Sequence, residues 1–504
     1  MARVVYTFEY ILRRASLLFP DQEVVDDYGR KTYRELYDNV LRLIPSLQSK
    51  GIRKGDVVAI MGLNNIKYVE LVYALTSMGA IIYPVNLRLP PDQVLYTLVK
   101  SHSKFLIYED QLREYARLAE GRLEGLKSMS FSEVGYSDER GRPVSGEDDA
   151  VVMLFTSGTT GLPKAVLHVQ RKTVMGAMFI ADQLAYYNTP AKLGQGDVML
   201  PLVPLYHILA WGSLLIAPMV GAKLIYMEKF DPRAAIEKIE REGVTWISGV
   251  PTILHMLLEA GLNKRGLKAL IAGSPIPDGL AKRMMERGIR FTVGYGSTEV
   301  LVASMTIETH LVRSGSVELH KVTHPVLGAE IKIDVKDPKD KVGEILVRAP
   351  WLPDGYYEDE EKTRESFTPD GWFRTGDIGY MTEDGGLVIL DRVKDVIKSG
   401  GEWISSSILE AAISELPWVS IVAVIGVKNE KWGERPVAII KPSRPISPHE
   451  AKQEVIGHLM ELVRQGKLSK FWVPDDVIIV SDMPLTSTGK VDKKALRGIA
   501  AGSQ

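Results

Sequence analysis

A chain of 504 residues is too long for one ordinary domain, and its 45% hydrophobic and 25% charged composition is that of a globular protein with a large core. Lysine and arginine number 62 against 63 aspartates and glutamates, a formal net charge of −1, which gives no electrostatic case for nucleic acid as the main partner. No cysteine is present, so disulfides, thiolate zinc sites and cysteine nucleophiles are excluded.

The first 20 residues carry Arg3, Glu9, Arg13 and Arg14 among their apolar side chains and lack the core of a signal peptide. Thr32 and Glu35 have the spacing of a capping box. Tyr33, Leu36, Tyr37, Val40, Leu43, Ile44 and Leu47 then follow at helical spacing, with Gly51 as the stop. A strand is expected over 56–61, a helix over 65–78 and a strand over 80–85. This is the rhythm of a mostly parallel sheet, and it returns over 223–227, 231–242 and 244–248. The apolar stretch 71–85 is too short to span a bilayer and reads as helix end, turn and strand. The polar segments 136–149 and 357–365 read as solvated loops whose charges do nothing specific. Short alternating strands over 330–335 and 343–348 suggest a smaller antiparallel, barrel-like subdomain, and mixed α/β pattern resumes after Asp391. The tail from 500 onward reads as frayed.

The densest chemistry lies in Thr156-Ser157-Gly158-Thr159-Thr160-Gly161-Leu162-Pro163-Lys164, which follows an apolar strand over 151–155. Glycines let backbone N–H groups approach a ligand, hydroxyls add donors, and lysine adds a mobile charge, a combination suited to a polyphosphate. It is not a P-loop, because Pro163 stands where that pattern needs glycine.

Further motifs follow in order: Pro204-Leu205-Tyr206-His207, Ala272-Gly273-Ser274-Pro275, Tyr295-Gly296-Ser297-Thr298-Glu299, Thr375-Gly376-Asp377, Asp391-Arg392-Val393-Lys394-Asp395, Gly400-Gly401-Glu402 and Pro484-Leu485-Thr486-Ser487-Thr488-Gly489-Lys490. Their order and spacing resemble the adenylate-forming superfamily of acyl- and aryl-CoA synthetases, peptide-synthetase adenylation domains and luciferases, across nearly the whole chain. The resemblance implies an α/β fold. A large N-terminal domain, 1–391, would hold α/β subdomains and the barrel-like one, and a small mobile C-terminal α/β domain, 392–504, would pivot near Lys394.

It also implies the chemistry. A carboxylate attacks ATP to give acyl-AMP and pyrophosphate, and coenzyme A then takes the acyl group and releases AMP. Thr156, Ser157, Gly158, Thr159, Thr160 and Lys164 resemble the loop that holds the β and γ phosphates. Tyr295 and Gly296, with Gly273 and Ser274, match the adenine-binding positions. Thr298 matches the residue at the α-phosphate, Glu299 the residue that helps hold Mg²⁺, Asp377 the ribose ligand, and Arg392 its neighbour. Lys490 matches the lysine that bridges carboxylate and α-phosphate, and Gly400-Gly401 the segment brought in for the coenzyme A step. His207 would border the acyl group in a positioning role. Trp211, four residues on, faces either the same pocket or ordinary core.

The wording around Gly400 and over Lys431-Trp432-Gly433-Glu434-Arg435-Pro436 looks most like medium- and long-chain fatty acyl-CoA ligases. A ligase for a short, hydroxylated or aryl acid is the alternative, and a catalytically weak acyl-nucleotide binder a third reading. The sequence expects a cytoplasmic enzyme with at most transient membrane contact, and analogy points to a homodimer. The segment 318–324 departs from the family pattern. Its two histidines, His320 and His324, match no metal spacing, and it reads as a solvated loop.

Overall fold

The computed structural model describes residues 5–156, 162–309, 321–335, 339–400, 402–486 and 490–502, with backbone alone at 208–211 and 501–502. Three sheets organise them. The six-stranded sheet runs in the order Lys127–Ser130, Phe105–Tyr108, Val57–Met61, Ile81–Pro84, Ala150–Thr156 and Lys164–Val169. Its first five strands are parallel and the last is antiparallel. Parallel strands need helical crossovers, and the helix Ile66–Ser77 supplies one. All of that helix but Lys67 is buried, which explains its mostly apolar sequence.

Local signals set several boundaries. Thr32 and Glu35 form both bonds of the capping box that opens the helix Tyr33–Ser49. Gly51, at φ 94°, takes the left-handed turn after it. Asn65 caps Ile66–Ser77, and Asp231 caps Pro232–Arg241.

The thirteen-stranded sheet has a parallel centre in which Val198–Pro201, Trp246–Gly249, Lys268–Ala272 and Arg290–Tyr295 are successive neighbours. The antiparallel strands expected after residue 330 are Glu330–Asp334 and Gly343–Arg348. They continue through Phe373–Met381 and Leu387–Arg392. The strand Val322–Pro325 joins this group to the parallel centre by pairing with Leu387–Arg392 on one side and Ser304–Met305 on the other. The five-stranded sheet, Ile397–Ser399 to Asp476–Ile479, has its own core around Ile397, Ile404, Leu409, Val424 and Ile440. The chain crosses from one unit to the other just after Arg392. Asp391 already accepts bonds from the Ser406 backbone and hydroxyl, at 2.7 and 2.6 Å, at the start of the helix Ser406–Ile413.

Three sequence expectations are corrected. The segment 357–365 is not a loop, because Asp359 caps a helix, Glu360–Ser366. Residues 322–324 of the supposed loop 318–324 are buried in the strand Val322–Pro325, and 318–320 lie outside the described residues. His324 meets Asp384 at 3.3 Å, and hydroxyls of Thr309 and Thr382 donate to the same carboxylate. The tail is helical through Gly502, in Lys493–Gly502. Among the described residues no helix is long and apolar enough to cross a membrane.

The capping box is worth testing because it opens a helix that buries six side chains. Thr32→Ala should cost about 1 kcal/mol, seen as a lower urea midpoint at unchanged slope.

Candidate active site

Strand ends deliver the site residues to one place. The parallel strand Lys268–Ala272 ends at Gly273, which has φ 99°. A Cβ on Gly273 would stand 3.1 Å from Cε of Lys490 and 3.3 Å from Val250. Lys490 therefore reaches from the C-terminal unit to the end of the parallel sheet. Its main chain is held by reciprocal bonds with Thr486, N to Oγ1 at 3.2 Å and Thr486 N to the Lys490 carbonyl at 2.6 Å.

The neighbouring strand Arg290–Tyr295 ends at Tyr295, whose hydroxyl donates to Asp377 Oδ2 at 2.8 Å. The next residue must be glycine, since a Cβ on Gly296 would run into the Leu301 carbonyl. The turn that follows carries Thr298 and Glu299. Ser297 Oγ donates to Glu299 Oε2 at 2.7 Å, and Tyr356 Oη donates to Oε1 at 2.7 Å. Glu299 is 8% exposed and is fixed at both oxygens by neutral donors.

Asp377 and Arg392 face each other across the antiparallel pair Phe373–Met381 and Leu387–Arg392, with Nε of Arg392 3.2 Å from Oδ1. Burial pushes the Asp377 carboxyl up, against the pull of Arg392, Tyr295 and Lys490. Burial pulls the Lys490 ammonium down to about 8, aided by Arg392 and Lys394 and opposed by Asp377. Burial likewise lowers Lys394, with Asp395 opposing. Arg392, Lys394 and Lys490 thus form a cationic group beside the carboxylates of Asp377 and Asp395, a setting that suits a polyanion.

His207 stands just before the helix Ile208–Val220, its backbone N bonded to the Pro204 carbonyl at 2.9 Å. Burial, with a contribution from Lys490, lowers its imidazole to about 3. It is therefore neutral at physiological pH. The helix places Trp211 one turn on, and its side chain lies outside the described residues.

Lys164 opens the strand Lys164–Val169, paired in register with Thr156. The intervening Ser157, Gly158, Thr159 and Thr160 lie outside the described residues. Lys164 Nζ is 5.7 Å from the Tyr356 ring. Burial lowers its ammonium, and Lys362 adds to this while Asp359, Glu365 and Glu299 oppose it. The charges of 357–365 therefore act on Lys164, a second correction to the reading of that segment.

Gly400 is not gathered into this group. It turns at φ 56° between Ile397–Ser399 and Glu402–Ile404, and its nearest neighbours are the Trp432 and Phe471 rings. Gly401 lies outside the described residues. Sequence reasoning missed Ser297 and Tyr356. Ser297 stood inside a quoted motif. Tyr356 lies 57 residues from its partner Glu299 and carries no local signal.

Among the described residues no three acidic or histidine side chains converge on a metal position. One buried carboxylate, Glu299, is nonetheless what Mg²⁺ needs when phosphate oxygens and water supply the remaining ligands.

The chain matches the family model described as AMP-binding enzyme over residues 12–357, and that described as AMP-binding enzyme C-terminal domain over residues 409–490. It is 34% identical to a long-chain-fatty-acid–CoA ligase of Thermus thermophilus, over 96% of this chain and 94% of that one. To a 3-methylmercaptopropionyl-CoA ligase of Ruegeria lacuscaerulensis it is 32% identical, over 93% and 91%. Its fold superposes on an o-succinylbenzoate CoA synthetase from Bacillus subtilis, solved with an acyl-adenylate intermediate. The TM-score is 0.81, with 26% identity and 99% of both chains covered.

Tyr356→Phe removes one of the two donors that fix Glu299. Calorimetric titration should find ATP binding weakened about five-fold with Mg²⁺ present and unchanged without it.

Proposed function

The chain belongs to the AMP-binding enzyme family, whose relatives here are acid–thiol ligases, and from that premise we propose that it activates a medium- or long-chain fatty acid for transfer to coenzyme A. The observation that carries the choice of acid is the helix Ile208–Val220. It begins beside His207, and none of its residues bears a charge. A second carboxylate or an amine on the substrate would find no counter-ion on that wall. A short, hydroxylated or aryl acid is the second reading, favoured by the small methylmercaptopropionate that one relative's name gives as its acid.

In the first half-reaction a carboxylate oxygen bonds to the α-phosphorus of ATP and the bond to pyrophosphate breaks. Both reactants are anions, so positive charge and alignment are what the protein must supply. Asp377 would accept from the ribose hydroxyls, with Arg392 beside it. Tyr295 and Gly296 would lie along adenine with Gly273 and Ser274. Thr298 would donate to the α-phosphate. Thr156, Ser157, Gly158, Thr159, Thr160 and Lys164 would hold the β and γ phosphates. Glu299 would hold Mg²⁺, which when bound offsets phosphate charge. Lys490 would bridge the attacking carboxylate and the α-phosphate as charge builds there.

A fatty carboxylate is already ionised at neutral pH. His207, neutral in its buried place, has no proton to remove and would position the acyl carboxylate. In the second half-reaction the coenzyme A sulfur bonds to the acyl carbon and the bond to AMP breaks. The unit 392–504 would pivot near Lys394, withdraw Lys490 and bring Gly400 and Gly401 to the site. The separation of Gly400 from the Lys490 group supports this division of labour.

Turnover with ATP, Mg²⁺ and acids from acetate to palmitate, plus benzoate, should peak at medium or long chains and require coenzyme A. A peak at short or aryl acids would sink the fatty-acid reading. Lys490→Ala should abolish acyl-AMP formation and spare thioester formation from supplied acyl-AMP.

The pH profile is a separate check. Lys490 must be protonated to serve as a cation, so kcat/KM for acyl-AMP formation should fall as pH rises through about 8. Lys490→Arg should remove that limb. A limb unmoved by the substitution would assign it to another group.

A further inference from the structure

Two contacts hold the C-terminal unit against the large one. The first centres on His255, in the helix Pro251–Glu259, which is 7% exposed. Arg283, on the helix Asp278–Glu286, donates from Nη2 to His255 Nδ1 at 2.7 Å. Arg283 is itself paired with Glu259 at 2.7 Å. Because Nδ1 accepts, the neutral ring carries its proton on Nε2. That nitrogen stands 2.9 Å from the Ser420 hydroxyl oxygen, in the strand Val419–Asn429 of the C-terminal unit. Burial, then the positive charge of Arg283, keep the imidazole low, at about 4, so it stays in this donor form.

The second contact is a close backbone approach. Gly279, in the first turn of Asp278–Glu286, donates its N–H to Ser414 Oγ at 3.3 Å. A Cβ on Gly279 would run into the Ser414 carbonyl, which is main chain and cannot swing aside. Ser414 closes the helix Ser406–Ile413, six residues before Ser420. The fit therefore requires glycine here for approach, although its backbone angles are ordinary and alanine could adopt them.

Both contacts are made with the C-terminal unit where it delivers Lys490. Val250, the residue that precedes the helix carrying His255, lies 3.3 Å from the Cβ position of Gly273, beside Lys490. The helix that receives Ser420 thus starts at the wall of the site. We propose that His255 with Ser420, and Gly279 with Ser414, form a latch that sets the balance between the two half-reactions by holding the C-terminal unit in the acyl-AMP-forming arrangement. These are positioning residues, since none of them belongs to the cationic group around Asp377. The inference rests on the reading that Lys490 serves the first half-reaction.

The test separates the two halves. Single-turnover pyrophosphate release without coenzyme A reports the first. Thioester formation from supplied acyl-AMP and coenzyme A reports the second. His255→Ala and Ser420→Ala should each slow the first about five-fold, the worth of one neutral hydrogen bond, and leave the second unchanged or faster. Combined, they should lose no more than one alone, because they remove the same bond. Gly279→Ala should slow the first half at least about ten-fold without lowering the melting temperature, since alanine is the better helix former.

Equal losses in both halves, or no loss in either, would overturn the latch. Lys490→Ala run alongside distinguishes the levels. If it spares acyl-AMP formation, the reading beneath falls and the latch with it. If it abolishes that half while the latch variants show no split, the latch alone falls.

Discussion

Burial disfavours the charged form of Asp377, which therefore depends on Arg392 facing it across the strand pair and on Tyr295 donating from the end of the strand Arg290–Tyr295. Much else in the site follows from that requirement. Arg392 ends the last strand of the large unit, so the pair fixes where the chain may leave the sheet. The backbone ladder runs on to Val393, which donates to the Gly376 carbonyl at 2.9 Å. The ribose-binding position of the proposed mechanism and the proposed pivot are therefore neighbours in one hairpin. On that proposal, turning of the C-terminal unit would begin beside the ribose position.

Lys490 shows the opposite energetic situation. It is brought from another unit to a buried place beside two further cations, and its lowered ammonium reflects that strain. Asp377 and Asp395 are the carboxylates that act on these three positive groups, and Asp395 is itself shared with Arg497 at 3.0 Å. The arrangement gains most when a polyanion shares it, because charge in a dry site interacts far more strongly than charge in water. Ligand and cationic group complete one another. This fits a reaction in which two anions must meet, and it gives the C-terminal unit an electrostatic reason to stay closed while phosphates are bound.

The sequence made legible what is encoded locally. The capping box at Thr32, the caps at Asn65 and Asp231 and the strand–helix rhythm follow from neighbouring residues, and the structure has them within a residue or two. The motif residues Tyr295, Glu299, Asp377, Arg392 and Lys490 were identified by resemblance, and the structure brings them together. What stayed illegible depends on long-range partners. The polar run 357–365 has the composition of a loop, but Tyr356 beside it donates to Glu299 and its charges act on Lys164. His324 gave no hint of Asp384, 60 residues on. The seat of Ser420 on His255 spans 165 residues, and nothing in either neighbourhood announces it.

The helix Ile208–Val220 has a bearing on how such a chain diversifies. It is one uninterrupted piece, separate in sequence from every charged group gathered around Asp377. Under the proposed function its uncharged residues would face the acyl group, yet Leu214, Leu215, Ile216 and Ala217 also fill the core of the large unit. A change of acid drawn on this helix would therefore have to keep that core filled while it reshaped the pocket.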